Sequence, residues 1–205
     1  PAVANIDYDW LHTIFLNGFL DSVDYLTLHP YRSTTPETVM LDYEKVKALV
    51  NEFNPQGHSL QISQGECGYE HMGAATPGLD FETQGKFVVR MYLSAIGKGV
   101  FPAIWYDWRS GNISDPKQEH DGMVDQNLKP LPGWHGTKTL NAVLKGSQFV
   151  NMPLATVSYP SIPSTEDYAL SLKNKTHSIL VVWSVLSYEH NIQIHSASGC
   201  WNAMS

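Results

Sequence analysis

Glu66 lies in the run Gln64-Gly-Glu-Cys-Gly-Tyr69, directly after a strand-like stretch from Ser59 to Gly65. A carboxylate in such a place can act as a nucleophile, a general base or a hydrogen-bond acceptor. Two other segments have the same form. His29-Pro-Tyr31-Arg32 closes the stretch from Val23 to His29, and Trp105-Tyr106-Asp107-Trp108 closes the stretch from Val100 to Trp105. Three successive strand ends therefore offer a carboxylate, donors that could orient it and an aromatic face. Each residue alone is a loop residue of a common kind, and their joint placement carries the reading.

Those ends need elements to position them. Trp10, Leu11, Ile14 and Phe15 recur at helical spacing, and Gly18 provides a stop. Val39, Tyr43, Val46, Val50 and Phe53 form a second stripe that ends at Asn54-Pro55. Phe81, Val88, Val89, Tyr92 and Ile96 form a third, closed by Gly97 and Gly99. Predicted strands start near residues 23, 59 and 100, a repeat of 36 to 41 residues. Alternation of this kind predicts βα units around a parallel sheet. From Trp105 to Trp134 the periodicity fades and Asp, Gly and Pro are frequent. A loop of that length in a compact domain is usually functional. A short helix over 137–144 follows. From Lys145 onward, residues 149–157, 168–173, 178–185 and 191–195 read as short strands, with Asn174-Lys175 as a hairpin turn. That pattern predicts the start of an antiparallel sandwich.

Composition narrows the function. A net charge of −7 and a pI near 5.6, without a Lys/Arg cluster, argue against nucleic acid as a partner. No run of eighteen apolar residues exists, so no membrane span is expected. Cys67 and Cys200 lack metal-site spacing, and no pairing follows from sequence. Nine histidines form no H-E-x-x-H motif, and His190 and His195 are expected at the surface. There is no G-x-S-x-G elbow and no Gly-rich phosphate loop, so neither a serine hydrolase nor a cofactor is implied. Asn112-Ile-Ser114 and Asn174-Lys-Thr176 are glycosylation sequons, with meaning only in a secreted protein. The six Trp and ten Tyr are mostly core and surface packing, although such rings also stack on sugars. The first residue is Pro1 rather than Met, and it is not expected to be the natural start.

Residues 1–142 resemble the second half of a clan-A glycoside hydrolase, the cellulase-like (β/α)₈ group that includes families 5, 30 and 39. The resemblance rests on Gly18-Phe-Leu-Asp21, Val23-Asp24 and His29-Pro-Tyr31-Arg32. It continues through Gly65-Glu-Cys-Gly-Tyr69, Ile104-Trp-Tyr-Asp-Trp108, Glu119-His-Asp-Gly-Met-Val124 and Leu128-Lys-Pro130 to Trp134. It implies an α/β fold: the C-terminal portion of a (β/α)₈ TIM barrel over 1–145, after strand five to helix eight. An incomplete antiparallel β-sandwich over 146–205 would follow.

By the same resemblance Glu66 ends strand seven as the catalytic nucleophile of a retaining enzyme acting on a β-linked glycan. Tyr31 would donate to its carboxylate, with His29 beside it, and Trp105 would floor the sugar site. Asp107 and Arg32 would contact sugar hydroxyls or form a local ion pair. Retaining hydrolysis needs a second carboxylate about 5–5.5 Å away. In the clan that residue is the Glu of an Asn-Glu pair ending strand four. Asn51-Glu52, the only such pair here, falls at the end of a helix on the wrong face. The chain alone is therefore expected to be inactive and to require the N-terminal barrel half. A secretory location is implied by the enzyme class. The rival readings are a non-catalytic carbohydrate-binding or structural glycoprotein that kept the fold, and a sandwich adhesion module with an unrelated α/β partner.

Overall fold

A computed structural model of the chain describes residues 2–54, 59–71, 79–115, 117–150, 155–158, 166–186 and 193–196. The chain divides into two compact units, Pro1–Ala142 and Val143–Ser205.

The first unit is a mixed α/β layer. Strands β1 (Ala2–Ala4), β2 (Tyr25–His29) and β3 (Gln61–Gln64) pair in that order, all parallel. Helix α1 (Tyr8–Leu16) joins β1 to β2, and α2 (Val39–Phe53) joins β2 to β3. Helix α3 (Phe81–Gly97) follows β3. The helices begin where local chemistry allows. Asp7 caps α1 by accepting from the Trp10 N–H, and Asp80 caps α3 by accepting from the Thr83 N–H. Gly18, at φ 79°, terminates the α1 region in the left-handed conformation that suits glycine.

The apolar stripes find their partners. Leu11 and Phe15 of α1 and Val39, Tyr43, Val46 and Val50 of α2 bury against Leu26 and Leu28 of β2 and Ile62 of β3. Because side chains alternate along a strand, Thr27 and His29 face the other way. The hydroxyls of Thr27 and Ser63 meet on that opposite face at 2.9 Å. A second cluster gathers Cys67, Tyr69, Val88, Met91, Trp105 and Met123.

Three expectations are corrected. A strand precedes α1, and its three residues are too few to show a period. The stretch Val100–Trp105 is extended but forms no regular strand. Its Phe101 N–H donates to Ile62, its Pro102 carbonyl accepts from Gln64, and its Ile104 N–H donates back to Gln64. Only one bridge results, Gln64 with Ala103, because Pro102 brings no N–H to the ladder. Helix α4 spans Pro132–Leu144, starting five residues earlier than expected, with a proline in its first turn.

The stretch between Trp105 and Trp134 folds back on itself. The Ser110 N–H donates to the Val124 carbonyl, the Val124 N–H donates to the Trp108 carbonyl, and the Gly111 N–H donates to Glu119. Asp125 accepts from the N–H groups of Asn127 and Lys129, closing the next turn.

The second unit is antiparallel. Strands β4 (Gln148–Phe149), β6 (Asp167–Lys173) and β7 (Ser178–Ser184) form one sheet in the order β4-β6-β7. Strands β5 (Ala155–Ser158) and β8 (Gln193–Ser196) form a separate pair. The single strand expected over 149–157 is thus two strands in different sheets. Tyr168 and Trp183 sit opposite each other and stack at 5.2 Å. The turn between β6 and β7 runs from Asn174 to His177, longer than the two residues expected. Asn174 Oδ1 accepts from the N–H groups of Thr176 and His177, which shapes it. His190 and Cys200 lie outside the described residues.

Candidate active site

Gly65-Glu66-Cys67-Gly68 leaves β3 at the same end at which His29-Pro30-Tyr31 leaves β2. The Gly65 N–H donates to the Leu28 carbonyl, which holds the two exits side by side. The Tyr31 hydroxyl donates to Glu66 Oε2 at 2.9 Å, and His29 Nδ1 approaches the same oxygen at 3.3 Å. One carboxylate oxygen is thus held from two sides. Burial, and then the bond to Glu66, push the Tyr31 hydroxyl well above the usual phenol range, so it stays a donor.

The glycines that flank Glu66 have separate reasons. A Cβ on Gly65 would stand 2.3 Å from Thr27 Cγ2 and 3.0 Å from His29 Nε2. A Cβ on Gly68 would stand 2.1 Å from the Tyr106 carbonyl oxygen. Gly68→Ala is expected to displace the segment at Tyr106 and to cost about 1–3 kcal/mol. A thermal melt unchanged from wild type would refute that close approach.

Cys67, next in sequence, is buried and free, and burial raises its thiol to about 12. Its Sγ lies 3.7 Å from the Pro30 carbonyl. It is a packed thiol with no nucleophilic character at neutral pH.

The extended stretch that ends at Trp105 divides its aromatics. Trp105 is only 6% exposed, packed near Tyr69 with ring centroids 6.2 Å apart. Its indole N–H donates to the Asp121 carbonyl at 2.7 Å. Tyr106 is 36% exposed, and its hydroxyl titrates upward under Glu119, Asp107 and, more weakly, Glu66. Trp105 is therefore a wall, and the open rings of this segment are those of Tyr106 and of Trp108, the latter 60% exposed.

Arg32 and Asp107 do not pair with each other. Arg32 bonds Asp42 at 3.1 Å, the Thr38 hydroxyl at 3.0 Å and the Pro30 carbonyl at 3.0 Å. Asp107 has one oxygen enclosed without a partner, and burial, then Glu119, raise its pKa.

Two clefts bear on these residues. The larger, about 620 Å³, runs past Trp105, Asp107, Trp108, Trp134 and Lys138, and Glu66 is not among its lining residues. The smaller, about 370 Å³, is lined by Tyr31, Arg32, Glu70 and Asp121 among others, and Glu66 is not among its lining residues either. Volume would select the first, but the chemistry selects the second, because it shares Tyr31 with Glu66.

With that geometry established, the chain can be set beside known proteins. No family description and no curated protein matches its sequence. Among solved structures, a family 39 glycoside hydrolase from the gut symbiont Bacteroides cellulosilyticus WH2 superposes with a TM-score of 0.67 at 17% identity. The fold is glycoside-hydrolase-like. The match covers 86% of this chain and 37% of that one, so the chain spans little more than a third of the hydrolase it resembles. A Faecalibacterium prausnitzii β-glucuronidase gives a TM-score of 0.49 at 13% identity, covering 69% of this chain and 24% of that one. A family 2 β-galacturonidase from Eisenbergiella tayi gives 0.44 at 14%, covering 63% and 25%.

On this glycoside-hydrolase-like fold, the structure brings His29, Tyr31 and Glu66 together, ties Arg32 to Asp42, packs Trp105 and leaves one Asp107 oxygen without a partner. Asn112 is exposed, whereas the Asn174 side chain is half-buried in its turn. Sequence reasoning assigned no role to Asp121, to Tyr106 or to the Glu37–Arg90 pair. Asp121 lies in the quoted run Glu119-His120-Asp121, but nothing local separates it from its acidic neighbours. Among the described residues no group of three His, Cys, Asp or Glu could hold a metal ion. No described helix is long and apolar enough to cross a membrane.

Proposed function

We propose that this chain is the nucleophile-bearing part of a retaining β-glycoside hydrolase of the (β/α)₈ class. The observation that carries the reading is the Glu66 carboxylate, held by Tyr31 at 2.9 Å and approached by His29, at the exits of two adjacent parallel strands. Catalytic groups of βα barrels stand at that end of the strands.

In the proposed reaction a Glu66 oxygen attacks the anomeric carbon. A glycosyl ester forms as the bond to the departing oxygen breaks. The leaving group takes a proton from a second carboxylic acid, and that residue then activates the water that hydrolyses the ester. Tyr31 aims the nucleophile and can release its hydrogen bond as the carboxylate becomes an ester. The second carboxylate is assigned to an N-terminal barrel half, in a longer parent protein or on another chain. The sequon at exposed Asn112 supports a place in the secretory pathway.

The test is intact-mass and peptide spectrometry of the full-length parent protein after exposure to 2-deoxy-2-fluoro β-glycosides. The fluorine slows release, so the ester accumulates. An adduct on the peptide that holds Glu66 is expected. An adduct on another carboxylate would take the nucleophile role from Glu66, and none with any sugar would move the reading to a carbohydrate-binding protein.

A further inference from the structure

We infer that the larger cleft, of about 620 Å³, is the seat of a parallel βα unit from the N-terminal barrel half, and not a pocket for substrate. This rests on the proposed reading of the chain as part of a (β/α)₈ enzyme. The cleft has Ala103 in its wall, and Ala103 stands on an open sheet edge. It is bridged to Gln64 of β3, whose N–H donates to the Pro102 carbonyl and whose carbonyl accepts from the Ile104 N–H. In a parallel bridge of that kind the residue between turns its own N–H and C=O the other way. The backbone groups of Ala103 therefore point away from β3, and among the described residues nothing bonds them. A donor and an acceptor side by side on a free edge are a template for one more parallel strand.

The surroundings fit a strand with its helix. β1, β2, β3 and the bridged stretch all run parallel, so a further strand of this sheet arrives with a crossover helix. Side chains alternate at the edge. Ala103 shares the face of Gln64 and packs on the core beneath α1 and α2. Ile104 takes the opposite face, that of Thr27 and Ser63, and is exposed. The far side of the cleft is Tyr92 of α3 with Trp134, Thr137 and Lys138 of α4. The groove thus runs between the edge and the neighbouring helix, where a crossover helix would lie. Trp108 at its rim is exposed, and so is Phe101 at the start of the same stretch. Apolar side chains gathered in the open at one edge mark a surface that is covered in the working protein. Asp107 Oδ1, in the same wall, is enclosed without a donor, and the N–H groups of an incoming segment supply donors.

The amount of chain in such a fold decides the occupant. The superposition matches only 37% of the family 39 hydrolase, so most of that chain lies outside the match. A barrel of parallel βα units has no edge, because its last strand pairs with its first. A sugar in the cleft would lie against the rings and still leave the Ala103 groups unpaired. A strand satisfies them, and its helix covers the groove. Filling the cleft closes it to substrate and holds against this chain the half to which the second carboxylate is assigned.

The experiment uses the full-length parent protein in two forms. In the first, Trp108→p-benzoylphenylalanine puts an aromatic photo-cross-linker at the rim of the cleft, and the linked peptides are mapped after irradiation. In the second, the unaltered protein is followed by hydrogen exchange at the Ala103 amide. A cross-link to a segment of the parent that precedes Pro1 is expected. The Ala103 amide is expected to exchange at least about a hundredfold more slowly than in an unstructured chain. A cross-link to residues 143–205 or to a second copy overturns the inference, and so does the absence of any cross-link. An Ala103 amide that exchanges at the unstructured rate overturns it as well. Labelling of Glu66 by the fluoroglycosides is read separately. An adduct at Glu66 beside a freely exchanging Ala103 amide overturns the inference and leaves the proposed function. The expected cross-link without any adduct at Glu66 upholds the seat and removes the nucleophile.

Discussion

Glu66→Gln in the full-length parent protein is expected to lower kcat by on the order of 10⁴-fold or more. The side chain keeps its shape, so the contacts from Tyr31 and His29 have an oxygen to meet. What is lost is the nucleophile: a carboxamide neither attacks an anomeric carbon nor departs from it. The assay is hydrolysis of an aryl β-glycoside of the sugar that labels the protein, read beside a thermal melt. An unchanged melt with lost turnover separates chemistry from folding. A second variant sharpens the assignment. Glu66→Ala leaves room for azide, which would attack from the same face and give an α-glycosyl azide. Wild-type turnover in Glu66→Gln would remove the nucleophile role altogether.

The other large effect concerns stability. Glu37→Ala is expected to destabilise the fold by about 3 kcal/mol, because it leaves the half-buried Arg90 cation without its carboxylate. Glu37 is 2% exposed and takes two bonds from Arg90 of α3, each 2.6 Å long. The Arg90 guanidinium also lies 5.1 Å above the Phe87 ring. Glu37 belongs to the short turn Pro36–Thr38, which follows the exit carrying His29 and Tyr31. The pair therefore ties α3 to the segment that presents the donors to Glu66. Differential scanning of the parent protein should show the melting temperature lower by roughly 10 °C or more. Replacing both partners by leucine should recover most of the loss, since a matched apolar pair strands no charge. A melt of Glu37→Ala within 1–2 °C of wild type would contradict this account.

The unequal reach of sequence and structure follows from the distances over which each interaction acts. The stripes of α1, α2 and α3 were legible because a helix face repeats every 3.6 residues, and that period is written in consecutive positions. Strands β2 and β3 were legible from their alternation and from the glycines and prolines around them. Order along the chain then placed His29-Pro30-Tyr31, Glu66 and Trp105 at successive strand ends. β1 and the single bridge at Ala103 were not legible. Three residues show no period, and a proline within an extended stretch decides its pairing only once a neighbour is present.

Tertiary structure alone decided which of those residues meet. Tyr31 and Glu66 are 35 positions apart, and Arg90 and Glu37 are 53 apart. Their contact depends on the register of β2 against β3 and on how α3 lies across the layer. It also chose between Trp105 and Tyr106, since a shift of one residue along an extended chain exchanges the buried face for the open one. Asp121 owes its place to a loop that folds back on itself through backbone bonds, which side-chain types encode weakly. The sequence by itself determined the elements and the kinds of residue at their ends, because those depend on near neighbours. The tertiary structure decided the partners, the burial and the open ring, because those depend on chain segments that approach only after folding.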